Sequence, residues 1–269
     1  MTGTSVYIVK SIVLTAVLGL VVSAGCKKSS PQPQQPQTAS VSKTETPAPK
    51  PVIPEVNIAT PKTTDVNSPS GLEPIAITLP KPMFVGTPQN FGGITNLEQP
   101  SGKLREPFYA PKGTANVALH KPVKGSDEQP IIGELKMLTD GDKEAADGSF
   151  VELGPGVQNV TIDLGAPHNI YAIVIWHYHK QPRVYKDVVV QVADDADFIT
   201  NVKTIFNNDN DNSSGFGVGQ DLSYVETAEG KLIDAKGTVA RYVRCSSNGS
   251  NSNELNNYIE VEVYGTPVK

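Results

Sequence analysis

The sequence has few cysteines: Cys26 and Cys245 are the two among 269 residues. If Cys26 is modified, Cys245 has no partner within the chain. We therefore expect a fold that no disulfide stabilises, whatever the compartment. Cys245 lies in the apolar run RYVRC and is predicted to be a small buried core residue rather than a reactive thiol.

Positive charge and catalytic motifs are also scarce. The net charge is −5, and the basic residues form no cluster beyond Lys27 and Lys28. Such a chain lacks the electrostatic surface that nucleic-acid binding needs, so nucleic acid is excluded as a partner. The sequence contains no nucleophile elbow, no Cys-x-x-Cys and no glycine loop of the phosphate-binding kind. We therefore predict that the protein is not an enzyme.

The N-terminus has the features of an export signal. Residues 1–25 contain one lysine followed by about 15 mostly apolar residues, a run too short for a comfortable membrane span of ~20 residues. The run ends in SAG before Cys26 and resembles the lipobox of bacterial lipoproteins, although Ser23 stands where Leu, Val or Ile is usual. This resemblance implies lipid attachment at Cys26, and Lys27 favours the outer membrane, facing the periplasm or the cell surface. A secreted protein cleaved nearby is the alternative.

A long stretch without aromatic residues follows the cysteine. Residues 26–75 are dense in Pro, Thr, Ser and Gln and lack the apolar content that a core requires. We predict a disordered, extended linker that holds a domain away from a membrane. Residues 76–114 are rich in Pro and Gly without helical or strand periodicity, and are predicted to be an extended lead-in segment.

The remaining residues, 115–266, are predicted to form one all-β domain. Short, β-branched apolar runs are separated by Gly, Pro, Asn and Asp, and no segment shows a convincing period of 3.6. The runs are VTIDL (160–164), AIVIW (172–176), DVVVQV (187–192), TIF (204–206) and IEVEVY (259–264). Many short strands with turn signals between them favour an antiparallel β-sandwich or barrel.

The order of motifs in this region resembles the discoidin family, also called the coagulation-factor 5/8 type C or galactose-binding-like family. The motifs are NVALHKPV (116–123), LTDGD (138–142), VTIDLG (160–165), RVYKD (183–187), QVADD (191–195), ARYVR (240–244) and IEVEVYG (259–265). The resemblance implies an antiparallel jelly-roll β-sandwich that binds a ligand, often a sugar, through loops at one end and performs no chemistry.

A structural calcium ion is the cofactor that the resemblance implies. Asp140 and Asp142 flank a glycine in a tight loop and offer the hard oxygen ligands that Ca²⁺ prefers. In relatives with calcium, this loop meets a glutamate of the last strand, and the matching residue is Glu260. The alternative is a simple Asp-Gly turn with a surface glutamate opposite.

The motif WHYH (176–179) raises the question of a metal enzyme. On a strand, His177 and His179 point to the same face and so present two imidazoles to one metal, as in cupin enzymes. The carboxylate expected four or five residues later is absent, since positions 183 and 184 are Arg and Val. A His-x-His metal enzyme is therefore the less favoured reading.

A sugar site is the better use of this loop. The resemblance implies a shallow site of His or Arg, Asn and an aromatic ring, in which planar groups pair with hydroxyls and the ring covers the apolar sugar face. Polar loop residues that only contact solvent are the alternative, and Trp176 is predicted to be core. The candidates are His177, His179, Arg183, Asn208 and Phe216.

The stretch FNNDNDNSSGFGVG (206–219) resembles the start of a calcium loop. Asp209, Asp211 and Ser213 fall at positions 1, 3 and 5, but position 6 is not Gly and position 12 is Gln220, so an EF-hand loop is excluded. The stretch is either a long polar turn or part of a ligand-binding rim. Taken together, the sequence predicts a non-catalytic cell-envelope lipoprotein that binds carbohydrate. A module that docks to an envelope protein is the alternative.

Overall fold

The computed structural model describes residues 71–84, 91, 93–99 and 101–269. The predicted signal peptide, the lipid site Cys26 and most of the predicted linker lie outside these residues. Within the described ranges, no helix is long and apolar enough to cross a membrane.

Ten strands and one short 3-10 helix, η1 (Leu135–Thr139), make up the regular structure of the described residues. The strands are β1 (Leu72–Pro74), β2 (Tyr109–Pro111), β3 (Ala115–Asn116), β4 (Val123–Gly125), β5 (Val151–Pro155), β6 (Gln158–His177), β7 (Val189–Ala193), β8 (Lys203–Asn207), β9 (Lys231–Ser247) and β10 (Leu255–Pro267).

Two long strands, β6 and β9, connect the two layers of the molecule. The main sheet has the order β3-β10-β6-β9-β7-β8, with β4 paired to β6 and β5 paired to β10. The first half of β6 pairs with the C-terminal half of β9, and its second half pairs with the N-terminal half of β9 and with β10. The register shifts between Asp163 and His168, next to Gly165 with its positive φ of 84°, which is where the strand bends.

The sheet folds over on itself around one core. Ile162 from the first half of β6 and Ile173 from the second half belong to the same cluster of buried apolar side chains, together with Val190 and Val261. Every strand pair in the main sheet is antiparallel. The prediction of an all-β, antiparallel β-sandwich is therefore confirmed.

The two halves of β6 differ in burial. Residues 158–164 alternate between part-exposed and fully buried side chains, whereas residues 172–177 are all buried. An unbroken buried run requires cover on both faces of the sheet. One face of this half packs on the core, and the other lies under the lead-in segment.

The lead-in segment packs on the outer face of β6 and β10. Ile75, Ile77 and Phe108 contact a second buried cluster that contains Trp176 and Tyr264. Arg105 fixes the segment at another point, because its Nη1 donates to the carbonyls of Glu229 and Gly230 at 3.0 and 3.1 Å. The segment is thus part of the packed structure.

Trp176 is fully buried, as predicted, and its Nε1 donates to the carbonyl of Ala228 at 3.0 Å. Gly230 lies so close that an added Cβ would stand 2.7 Å from the indole ring, so no larger residue fits there. Cys245 is buried as well, and burial raises the pKa of its thiol to about 12. The thiol stays protonated and unreactive at neutral pH.

Candidate functional site

Three loops meet at the end of the sandwich where β6 finishes and β7 begins. They comprise residues 178–188, 208–230 and 248–254, which we call the loop end. The amide of Lys186 donates to the carbonyl of Gly249 at 3.0 Å. The Asp187 carboxylate accepts from Ser213 Oγ and from Asn248 Nδ2, both at 2.8 Å. One residue of the first loop therefore connects the other two.

The structure places His177 inside the core rather than on the surface. Its side chain is 0% exposed, and its Nδ1 donates to Glu226 Oε1 at 2.6 Å. Its ring stacks on Tyr185 at 4.3 Å and contacts Tyr258 at 4.5 Å between ring centroids. His177 cannot touch a ligand at the loop end, so its assignment as a ligand-binding residue is corrected.

His179 is also buried and faces another partner. Its Nε2 donates to the carbonyl of Lys143 at 3.0 Å. Strand β6 ends at His177, so the alternation that would place both imidazoles on one face does not extend to His179. Each imidazole already uses one ring nitrogen, with Glu226 and with Lys143 respectively. The expectation that the pair presents itself to one metal or one sugar is therefore wrong.

Of the other three predicted ligand residues, Asn208 is buried, whereas Arg183 and Phe216 are partly exposed. Asn208 is buried, and its Oδ1 accepts the amide of Val188 at 2.7 Å, so it holds two loops together. Arg183 is half-buried: its Nη1 donates to Asn257 Oδ1 at 3.1 Å and its guanidinium lies 4.6 Å from the Tyr178 ring centre. Phe216 is half-buried at the loop end. Of the five candidates, Arg183 and Phe216 have surface that a ligand can reach.

Three carboxylates meet at the loop end. Asp187, Asp209 and Asp211 each have an oxygen within 4.8 Å of the others, and among the described residues they form the one group of three with metal-ligand chemistry. Asp209 is fully buried. Burial alone would raise the pKa of its carboxyl, but hydrogen bonds from the hydroxyl and amide of Ser214 outweigh burial and hold the pKa below its usual value.

Asp209 and Asp211 belong to one polar stretch of the sequence, whereas Asp187 lies outside that stretch and was not among the predicted site residues. The register in which β7 pairs with β8 is the signal that identifies Asp187. Val189 at the start of β7 pairs with Asn207 at the end of β8. Residues just before β7 and just after β8 must therefore lie side by side, which places Asp187 next to Asp209.

The predicted calcium loop and Glu260 do meet. The amide of Gly141 donates to Glu260 Oε1 at 3.2 Å, while Oε2 is buried without a hydrogen-bond partner. Burial raises the pKa of the Glu260 carboxyl to about 8, and the nearby charges of Glu262 and Asp140 add to this effect. Asp140 and Asp142 are exposed and accept backbone amides of their own loop at 2.8 and 3.0 Å.

This donor set suits a cation. A buried carboxyl group with an unpaired oxygen, beside an exposed aspartate, would carry uncompensated negative charge whenever it is ionised. A Ca²⁺ ion coordinated by carboxylate and carbonyl oxygens would compensate that charge.

Neither protein-family models nor curated proteins match the sequence. Among solved structures, the chain is similar to the CBM32 of AlyQ in complex with 4,5-unsaturated mannuronic acid, with 16% identity, a TM-score of 0.40, and 53% of this chain and 92% of that one covered. A chitosan-binding module from a Paenibacillus sp. IK-5 chitosanase/glucanase gives 20% identity, a TM-score of 0.38, and coverage of 56% and 99%. A family 89 glycoside hydrolase from Clostridium perfringens gives 17% identity and a TM-score of 0.42, with 57% of this chain and 15% of that chain covered.

All three TM-scores lie below 0.5, so the fold assignment rests on the strand pairing described above. That pairing and the loops define an antiparallel β-sandwich with a polar, loop-built end.

Proposed function

We propose that this chain is a non-catalytic cell-envelope lipoprotein whose β-sandwich binds carbohydrate at the loop end. The convergence of three loops carries the proposal, because it gathers carboxylates and amides at the end of the sandwich that also carries the half-buried Arg183 and Phe216. Carboxylates, amides and guanidinium groups pair with sugar hydroxyls, and an aromatic ring covers the apolar face of a pyranose. In the cluster of three aspartates, the exposed Asp211 and the half-buried Asp187 supply the acceptors, and the buried Asp209 holds the loop in place.

A glycan array with the purified full-length chain tests carbohydrate binding. Arg183→Ala and Asp211→Asn should each abolish the array signal from neutral glycans while the thermal unfolding midpoint stays close to that of the parent chain. Glu106→Gln is the matched control, since Glu106 is an exposed acid in the lead-in segment. Unchanged binding in both variants would remove the loop end as the sugar site.

Docking to an envelope protein is the second candidate function. It is favoured by two exposed apolar side chains in the 208–230 loop, Val218 at 68% and Leu222 at 49%. A contiguous exposed apolar patch is a common feature of protein-binding surfaces, and these two side chains would be part of one. A glycan array without signal, together with a crosslinked envelope protein that Val218→Asp and Leu222→Asp both release, would favour docking over sugar binding.

Membrane attachment belongs to the same proposal. Cys26 would carry the lipid, the linker 26–75 would act as a spacer, and the protein would reside in the outer membrane. Incorporation of an alkyne fatty acid into the parent chain, and its loss in Cys26→Ser, tests the anchor. Label that remains in Cys26→Ser would contradict it.

A structural calcium ion completes the proposal. Glu260 and Asp140, with Asp142 close by, would hold the ion between the loop after η1 and strand β10. The ion would compensate the buried Glu260 carboxylate and stabilise the contact between these two distant parts of the chain. Metal analysis of the purified chain by plasma mass spectrometry should find calcium and no transition metal. A stoichiometric transition metal would instead support the enzyme alternative.

A further inference from the structure

A cavity of about 300 Å³ lies on the outer face of β4, β6 and β9. Asn159, Thr161 and Asp163 of β6 line it, and they alternate with the core residues Val160 and Ile162. These three side chains therefore point away from the core, on the solvent side of the sheet. The volume is at the lower end of the range of small-molecule sites, ~300–1,000 Å³. It suits one sugar ring with its substituents.

Two cationic side chains line this cavity. Cross-strand pairing brings them together, because Thr161 of β6 lies between Lys124 of β4 and Arg244 of β9. The Lys124 ammonium group is exposed and has no ion-pair or hydrogen-bond partner among the described residues. It is free to bind an anion.

Arg244 is held in place by protein contacts. Its Nε donates to Thr161 Oγ1 at 3.0 Å and its Nη2 donates to the carbonyl of Ala196 at 3.2 Å. Its guanidinium also lies 3.8 Å from the ring centre of Phe198. Nη1 has no partner within the described part of the chain. A guanidinium that is already fixed loses little side-chain freedom when it binds a carboxylate.

The other charges near the cavity leave it with a positive excess. Asp163 is paired with Arg241 through two hydrogen bonds of 2.7 and 2.8 Å. Asp197 is the further acidic group whose charge acts on Arg244. Among the residues that line the cavity, the two cations Lys124 and Arg244 thus outnumber one carboxylate, Asp163, which Arg241 already pairs.

Neutral hydrogen-bonding groups complete the lining. The side-chain amide of Asn159 has no partner among the described residues and is part-exposed. Tyr242 contributes an aromatic ring next to Asp163 on the same face. The lining therefore combines anion-binding groups with the groups that recognise hydroxyls and sugar rings.

We propose that this cavity is a second carbohydrate site, separate from the loop end, that binds a carboxylate-bearing saccharide of the uronic acid class. Arg244 and Lys124 pair with the carboxylate. Asn159 and the Thr161 hydroxyl bind ring hydroxyls, and Tyr242 lies against the ring.

Isothermal titration calorimetry of the purified full-length chain at low salt tests the proposal, with trigalacturonate as the acidic probe and galactotriose as the neutral one. The acidic trimer should bind, the neutral trimer should not, and binding should weaken as salt increases. Lys124→Gln should weaken binding of the acidic trimer about tenfold or more, because a charge-assisted hydrogen bond is lost. Lys203→Gln is the matched control, an exposed lysine on β8 that does not line the cavity.

Two further variants keep the test decisive. Arg244→Lys retains the charge but loses the planar contacts, so it should weaken binding while thermal unfolding shows that the domain still folds. Arg183→Ala and Asp211→Asn should leave uronate affinity unchanged, since they alter only the loop end. Several outcomes would overturn the proposal: no binding of trigalacturonate, equal binding of both trimers, no effect of Lys124→Gln, or competition by acetate as strong as that by the uronate.

Discussion

Strand β6 runs through two different environments, and the contrast between its halves explains much of the molecule. Residues 158–164 alternate in burial and leave one face of the sheet open. Residues 172–177 are buried on both faces, because Ile77 and Phe108 of the lead-in segment cover the outer side together with Ile75, the last residue of the predicted linker. The open half lines a cavity, and the covered half has a second core.

Ion pairs follow the same division. On the covered half, Lys143 Nζ and Glu262 Oε1 are 2.7 Å apart, with side chains only 10% and 6% exposed. On the open half, Arg241 and Asp163 are also 2.7 Å apart, but their side chains are 38% and 28% exposed. Solvent weakens the second pair, so equal distances do not imply equal energies. The lead-in segment therefore changes the dielectric environment of one half only.

The largest effect is expected at Trp176, the centre of the covered half. Trp176→Ala would leave a cavity in the second core and should reduce the free energy of unfolding by about 3–5 kcal/mol. Chemical denaturation followed by circular dichroism measures this loss. Asn159→Ala on the open half is the matched control and should change stability by less than about 0.5 kcal/mol. Similar losses in both variants would show that the two halves do not differ.

Glu260 should make stability depend on pH when no calcium is present. The pKa of its carboxyl is raised to about 8 in the folded protein, above the usual value of an unfolded glutamate. The folded state then binds more protons, so this contribution is present at pH 4 and is lost as the pH rises through 8. The slope is at most about 1.4 kcal/mol per pH unit.

Unfolding midpoints between pH 5 and 8.5 in the presence of a calcium chelator measure this slope. Glu260→Gln should flatten the profile. Millimolar calcium should raise the midpoint of the parent chain at pH 8 and leave that of Glu260→Gln unchanged. An equal shift of the unfolding midpoint by calcium in the parent chain and in Glu260→Gln would rule out the proposed metal site.

Arg105 tests how firmly the lead-in segment is fixed. Arg105→Ala removes the two hydrogen bonds to the carbonyls of Glu229 and Gly230, and should reduce the free energy of unfolding by about 1–3 kcal/mol. Differential scanning calorimetry measures the change. Lys103→Ala, two residues away and exposed, is the control. A midpoint as high as that of Lys103→Ala would mean that Arg105 does not help to hold the segment.

The smallest effect is expected at Asp163 on the open half. The hydrogen bonds from Arg241 hold the pKa of the Asp163 carboxyl below its usual value. Its contribution is therefore present above the usual aspartate pKa and is lost as the pH falls through the lowered value. Asp163→Asn should cost no more than about 1 kcal/mol at pH 7, and less in high salt. A larger loss that salt does not change would contradict the view of this half as solvated.

Local patterns predicted the fold well because a strand can be recognised from a short run of apolar, β-branched residues. The run AIVIW predicted a strand, and the sheet contains it as part of β6, where all five residues are buried. The sequence did not show what covers the outer face of this strand, since Ile75 and Phe108 lie 101 and 68 positions before Trp176 in the chain. The extended lead-in has no periodicity that would indicate its partner.

Site residues were harder to predict because burial depends on where a strand ends. Residues two apart point to the same face only within a strand. Because β6 ends at His177, His179 lies beyond the strand and does not share its face. The meeting of Gly141 and Glu260 followed from the resemblance to a known family. The meeting of Asp187 and Asp209 needed the pairing of β7 with β8, which motif spacing alone does not give.

The position of β10 has a consequence for the order in which the chain can fold. Residues 255–267 lie between β3 and β6, in the middle of one layer, although they come late in the chain. A chain that emerges from a ribosome or an export channel from its N-terminus onward cannot close this layer until those residues are out. Until then β6 has an open edge and an uncovered apolar run, which are the features that make a partly folded chain prone to aggregate.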